Sequence, residues 1–231
     1  MLPLIKALFW CACTLGIYLA SRRLHRSQGR WWSSPLLVTW VGCGLLIVTA
    51  HASYREYLSG THWLVWLLGP ATVAFAIPMH RHRALIRRHW LLMCVGVTAG
   101  SILAVSSSWL LASAFHLSPE LRASLLPRSV TTPLAMDASA RLGGVPELTA
   151  VFTALTGLFG AAVGESLLHI LPVRSPLARG ALFGMGAHGA GVAKALEIGQ
   201  EEGAVASLIM IFAGQVAVIA AVIVAGFLKR W

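Results

Sequence analysis

Four hydroxyl residues stand beside prolines in two otherwise apolar segments. Thr72 follows Pro70 within Gly69–Met79, and Ser129, Thr131 and Thr132 lie between Pro127 and Pro133. A proline deletes one backbone hydrogen bond and obstructs another. In hydrocarbon the freed polar groups need a substitute, which a bound solute or ion can supply. The helix ends made by such breaks carry partial positive charge and free N–H groups, which suit an anion. Hydroxyls add donors without burying a charge. Pro70, Thr72, Ser129, Val130, Thr131 and Thr132 are therefore candidate substrate contacts. The same hydroxyls read alternatively as partners of their own helix backbone or of a neighbouring helix.

A second candidate lies in the glycine-rich run Gly180–Gly191, at His188 and Gly189. An ionisable group in an intramembrane stretch is a functional candidate by default. An unperturbed imidazole titrates at about pH 6.5, so it can hold an anion or carry a proton. A neutral imidazole bonded to a carbonyl is the other reading. Asp137, Glu165 and His188 are candidates for proton coupling. Glu165 reads equally as a partner of Arg174, and Lys194 with Glu197, three apart, as a pair on one helix face. Arg128, beside Pro127, reads either as an attractor of anions or as a surface residue.

Catalysis finds no support. There is no G-x-S-x-G, no H-E-x-x-H and no phosphate-binding loop. Cys11, Cys13, Cys43 and Cys94 all fall in apolar runs, where cysteine behaves as a small hydrophobe, and no second ligand pair completes a metal site. The chain is expected to be no enzyme, with no catalytic residue, metal or cofactor.

The elements that must position these residues are membrane helices. Of the 231 residues 57% are apolar and 11% charged, with a net charge of +10; mean hydropathy is +0.75. Soluble domains carry roughly 25% charged residues, and several apolar runs approach the ~20 residues that cross a bilayer. The arginines cluster in short loops beside apolar runs. That pattern marks cytoplasmic loops rather than a nucleic-acid surface.

Spans are expected at about Leu4–Ala20, Pro35–Ala52, His62–Met79, Trp90–Ala114, Leu148–Leu171, Ala181–Ile198 and Ala204–Leu228. The N-terminal run resembles a signal peptide, with Lys6 before it, but lacks a cleavage site and reads as a first span. Trp31, Trp32, Trp63, Trp66 and Trp90 fit interfacial belts. Ser21–Arg30, His80–His89 and Pro172–Arg179 read as cytoplasmic. The acidic Gln200–Gly203 reads as external, with Lys229–Arg230 inside. This leaves Ser129–Gly144 to enter and leave on one side.

At a constant offset of 57 residues, Pro70 meets Pro127, Thr72 meets Ser129, Val73 meets Val130 and Met79 meets Met136. Further on, Leu91 meets Leu148, Gly100 meets Gly157 and Ala104 meets Ala161. Loop charges make the two copies antiparallel, and inverted repeats with paired broken helices mark secondary transporters. The expected architecture is one all-α polytopic membrane domain with seven or eight transmembrane segments, inverted repeats and two Pro-broken or re-entrant helices. It divides into scaffold spans (1–60), a first repeat (61–116), a second repeat (117–175) and C-terminal spans (176–231).

The runs Leu68–Pro78, Pro127-Arg-Ser-Val-Thr-Thr-Pro-Leu-Ala-Met136, Gly143-Gly-Val-Pro-Glu-Leu-Thr-Ala-Val-Phe152, Arg179-Gly180, Gly186-Ala-His-Gly-Ala-Gly191 and Glu202-Gly-Ala204 resemble the LrgB/CidB family, in order along the chain. Where that family usually continues Gly-Thr-Ala, this chain has Gly191-Val192-Ala193, so no hydroxyl stands at 192. The resemblance implies two kinds of function. One is an antiholin-like or holin-like role affecting murein hydrolase activity and lysis. The other, from the related plastid glycolate/glycerate translocator and bacterial members linked to pyruvate, is movement of small monocarboxylates. The residues favour a transporter of pyruvate, glycolate or glycerate, with the holin-like role as the alternative. The resemblance also implies a separate small LrgA/CidA-like membrane partner. The remaining expectations are homo-oligomerisation, contact with lipid but not nucleic acid, and a multi-pass place in the bacterial inner membrane.

Overall fold

The computed structural model describes residues 2–28, 33–74 and 76–228, leaving aside the side chains of Leu2, Pro3, Leu4, Val65, Leu68, Ala71 and Thr72. The expectations for Arg30, Trp31, Trp32, Lys229, Arg230 and the Thr72 side chain fall outside this description. Among the described residues the chain is helical, without a strand. It forms two compact units, Met1–Ala71 and Thr72–Trp231.

The first unit packs α1 (Leu2–Gln28) against α2 (Pro35–Thr49) and α3 (Tyr54–Trp66). Small and polar groups make the seams. The Ser21 and Thr39 hydroxyls lie 3.0 Å apart, and Gly60 lets α3 approach Ala7 and Trp10 of α1. Within the span expected at His62–Met79, with its Pro-broken segment Gly69–Met79, the helix is interrupted. After α3 come α4 (Leu68–Ala74) and α5 (Ala76–Arg81). Pro70 falls in the first turn of α4, where a missing N–H costs nothing.

In the second unit, α6 (Arg83–Ala114) leads to α7 (Pro119–Leu125), a 3-10 turn (Leu126–Ser129), α8 (Thr132–Arg141), α9 (Pro146–Ile170), α10 (Pro176–Ile198) and α11 (Gln200–Leu228). Three stretches among the described residues are long and apolar enough to cross a membrane: Arg83–Ala114, Pro146–Ile170 and Gln200–Phe227. Met93 and Val97 of α6 share a buried cluster with Val205, Leu208, Ile209 and Ala213 of α11, and further along both helices Ile102, Val105 and Trp109 wall one cavity with Val216, Ala217 and Ala220, so the two helices run parallel.

Between the long helices the chain folds back twice. In the first hairpin α7 and α8 are the arms. Val130 is extended (φ −132°, ψ 156°), and Thr131 (φ −57°, ψ 138°) leads into α8. The arms are tied to the start of α9. The Thr149 hydroxyl lies 2.7 Å from Ser139 Oγ and 3.0 Å from the Ser124 carbonyl oxygen, and the Val145 N–H donates to Ser124 Oγ at 2.8 Å.

The second hairpin is α10 itself. The apolar run Ala181–Ile198 predicts a straight span, but the helix breaks at His188, whose φ of 47° and ψ of −124° are non-helical. Phe183 and Ala195 share one buried cluster with Ala206, although twelve residues of straight helix span about 18 Å. A Cβ on Gly191 would meet the Phe183 carbonyl. Residues 189–198 therefore return along 176–187, and α10 is no span. The glycines permit this because arms without side chains can touch backbone to backbone.

The acidic turn at 200–203 consequently lies at the base of the hairpin, beside Gly180, at the same end as Arg174 and Arg179. This corrects its expected separation from those arginines. Because α11 parallels α6, its C-terminal end lies at the far end of this unit from Arg83. The expected inside placement of Lys229–Arg230 lies outside the described residues.

Candidate functional site

Both hairpins begin alike. Ser118 and Ser175 cap α7 and α10 by accepting from Leu121 N–H (3.3 Å) and Ala178 N–H (3.1 Å), each with a proline in the first turn. Arg122 donates back to the Leu117 carbonyl at 3.4 Å, and Arg179 to the Val173 carbonyl at 2.9 Å. These caps and the arginine tethers hold each base while the tip reaches inward.

The tips meet against the middle of α9. One buried face of that helix carries Thr149, Thr153, Gly157 and Gly164, a helical spacing that stacks them in a row. Thr149 touches the first hairpin. Gly157, Gly160 and Gly164 face Ala187, Gly186 and Phe183 of the second. Thr153 lies between the two sets, 2% exposed, and His188 is 4% exposed. Thr153 Oγ1 and His188 Nε2 are buried without a hydrogen-bond partner among the described residues. The His188 ring lies within interaction range of the Ser129 backbone and of the Arg128 guanidinium. Arg128 Nε donates to Ser108 Oγ of α6 at 2.9 Å.

Two cavities flank the crossing. One of about 570 Å³ is almost wholly apolar and is walled by Ile102, Val105, Trp109 and Val216, with Ser129 and Val130 from one tip and Met185 from the other hairpin. The other, about 470 Å³, takes Arg128 with Phe152, Thr156, Phe159 and Gly186. The crossing thus offers a guanidinium, an imidazole and a hydroxyl. The start of α8 adds to these, since its Thr131 cap makes no side-chain hydrogen bond and leaves first-turn N–H groups available.

Of the residues singled out from sequence, Ser129, Val130, Thr131 and Thr132 form the first tip and His188 and Gly189 the second, and the structure brings Ser129 to His188. Pro70 belongs to the first unit and is exposed. Asp137 is outside this cluster, paired with Arg141 at 2.9 Å. Glu165 pairs not with Arg174 but with Lys194, at 3.0 Å, and Lys194 also meets Glu197 at 3.0 Å, as the i, i+3 spacing predicts. The fold-back places Lys194 against α9, which a straight α10 would not. Sequence reading missed Thr153 and Ser108. The Thr149, Thr153, Gly157 spacing was the available signal.

The family model described as LrgB-like matches residues 14–227. YwbG of Bacillus subtilis (strain 168) is 37% identical over 215 residues, 93% of this chain and 96% of that protein. The antiholin-like protein LrgB of the same organism is 31% identical, covering 84% of each chain. The holin-like protein CidB of Staphylococcus aureus (strain N315) is 30% identical, covering 90% of each. No solved structure matches. With apolar helices of membrane length and a likeness that runs through both hairpins, the chain is a membrane protein and belongs to the LrgB-like family.

Proposed function

We propose that this chain is a multi-pass protein of the bacterial inner membrane that modulates membrane permeability in a holin- or antiholin-like way, and through it murein hydrolase activity and lysis. The names of the LrgB and CidB relatives speak for this reading more than for the carboxylate transporter that the paired prolines suggest. Its partner is a small LrgA/CidA-like membrane protein. The structural observation that carries it is the pair of opposed hairpin tips halfway along α9, where Arg128 and Ser129 of one meet His188 of the other. The test is lysis and murein hydrolase activity in a host stripped of its own LrgB-type genes, with this chain restored alone or with a small partner. A changed onset of lysis on restoration is expected. Unaltered lysis and hydrolase activity in both arms would overturn the reading.

One observation favours a second reading, passage of small monocarboxylates. Arg128, Ser129 and His188 converge at the tips, and two helix breaks at one depth are the pattern of secondary transporters. The offset of 57 residues supports an inverted repeat of α6 to α8 against α9 and α10, rather than of 61–116 against 117–175. It joins α6 to α9 and also Ser118-Pro119 with Arg122 to Ser175-Pro176 with Arg179. The repeat unit is then one long helix plus one hairpin. With the arginine loops inside, the first hairpin enters from outside and the second from the cytoplasm. Uptake of labelled pyruvate or glycolate into proteoliposomes tests this reading, and absence of uptake with and without a proton gradient or partner would sink it.

A further inference from the structure

Thr153 is the least explained residue of the crossing. Its hydroxyl is buried among helices, yet Thr149 one turn earlier has three hydrogen-bonding partners within reach and Thr153 has none among the described residues. A threonine normally disposes of its hydroxyl on the carbonyl four residues back. Burying it unpaired is costly, so its retention calls for a partner that the chain itself does not supply. His188 Nε2 is in the same condition, at the tip that abuts Gly157. The two orphaned atoms come from α9 and from the second hairpin. Arg128, from the first, adds a positive charge fixed in direction by Ser108.

We propose that Thr153, His188 and Arg128 together bind one small anion at the crossing of the hairpin tips, with Ser108 as the positioning residue for Arg128. This rests on the passage reading above and assigns residues to it. A guanidinium held through Nε still presents its terminal N–H groups to an anion, Nε2 of the imidazole donates in the appropriate tautomer, and the Thr153 hydroxyl donates to the remaining lone pair. A neutral molecule of the same shape forfeits the charge-assisted bonds. The site discriminates by charge first and size second.

The experiment is thermal unfolding of the purified full chain in detergent, with acetate as the probe and acetamide as its uncharged counterpart of the same shape. Wild type should be stabilised by acetate and not by acetamide. Thr153→Val keeps the shape and removes the orphan, so its melting temperature without probe should equal or exceed that of wild type while the acetate shift disappears. A merely structural hydroxyl would instead lower the melting temperature and leave the shift. Arg128→Gln should abolish the shift, and Ser108→Ala should reduce it several-fold without removing it. Equal acetate shifts in wild type, Thr153→Val and Arg128→Gln would overturn the assignment and leave the passage reading standing. No acetate shift in a wild type that still takes up carboxylate in proteoliposomes would overturn this site alone. No shift and no uptake would overturn both.

Discussion

The two hairpins reach the same depth by opposite means. The first (α7, the 3-10 turn and α8) is knotted by hydroxyls: Ser124, Ser139 and Thr149 close its arms onto α9. The second (α10) is held by the absence of side chains. Gly180 and Gly184 let α11 approach, Gly160 and Gly164 admit it to α9, and Gly191 lets its own arms touch. Polar knots resist deformation because each broken bond strands a partner. Glycine seams resist it only through close contact. The tip of the first hairpin is set by Pro127 and Pro133, which fix backbone angles. That of the second is a histidine at positive φ, a conformation kept only where the surroundings impose it. A rigid tip thus faces a strained one.

Substitutions in the glycine seam break this comparison hardest. Gly160→Val drives a branched side chain into the Gly186 carbonyl. Overpacking of this kind costs about 1–3 kcal/mol or more, and with backbone as the obstacle the upper end is expected in a detergent melt. Ser124→Ala should follow, at about 2 kcal/mol, because the Val145 N–H loses its acceptor. His188→Gly sharpens the contrast with the opposite sign. Glycine accepts positive φ freely, so the melting temperature of the unliganded protein should rise by the equivalent of about 1 kcal/mol, within the usual strain of such residues. The His188→Ala variant should show no such gain. Glu165→Gln should be smallest, under about 1 kcal/mol, since Lys194 keeps Glu197.

The sequence made some of this plain and hid the rest for physical reasons. Helical, membrane-embedded character follows from composition alone, because so few charges cannot cover a soluble fold. The first tip was visible as Pro127–Pro133, since proline announces a broken helix. The second was not. Hydropathy is the same for a glycine-rich segment whether it runs straight or folds back, and the turning residue is His188 rather than glycine or proline. A hairpin returns the chain to its starting side, so Gln200–Gly203 lies at the end of Arg174 and Arg179 rather than apart from them. Pairing Gly69–Met79 with Pro127–Met136 rested on shared prolines. In the first of these segments Pro70 lies in the first turn of α4. At the site, Ser129 and His188 were found by type, but Thr153 was overlooked because threonine in an apolar helix usually bonds its own backbone.

The fold-back of α10 is what brings the tips together, and it can be tested without any ligand. With Cys11, Cys13, Cys43 and Cys94 replaced, single cysteines at Arg174 and Glu201 are labelled by a membrane-impermeant thiol reagent in intact cells and in inside-out vesicles. A hairpin places both positions on one face, so both should react in inside-out vesicles and neither in intact cells. Reaction of Arg174→Cys from one face and Glu201→Cys from the other would mean that α10 crosses the membrane, and the crossing of tips would fall with it.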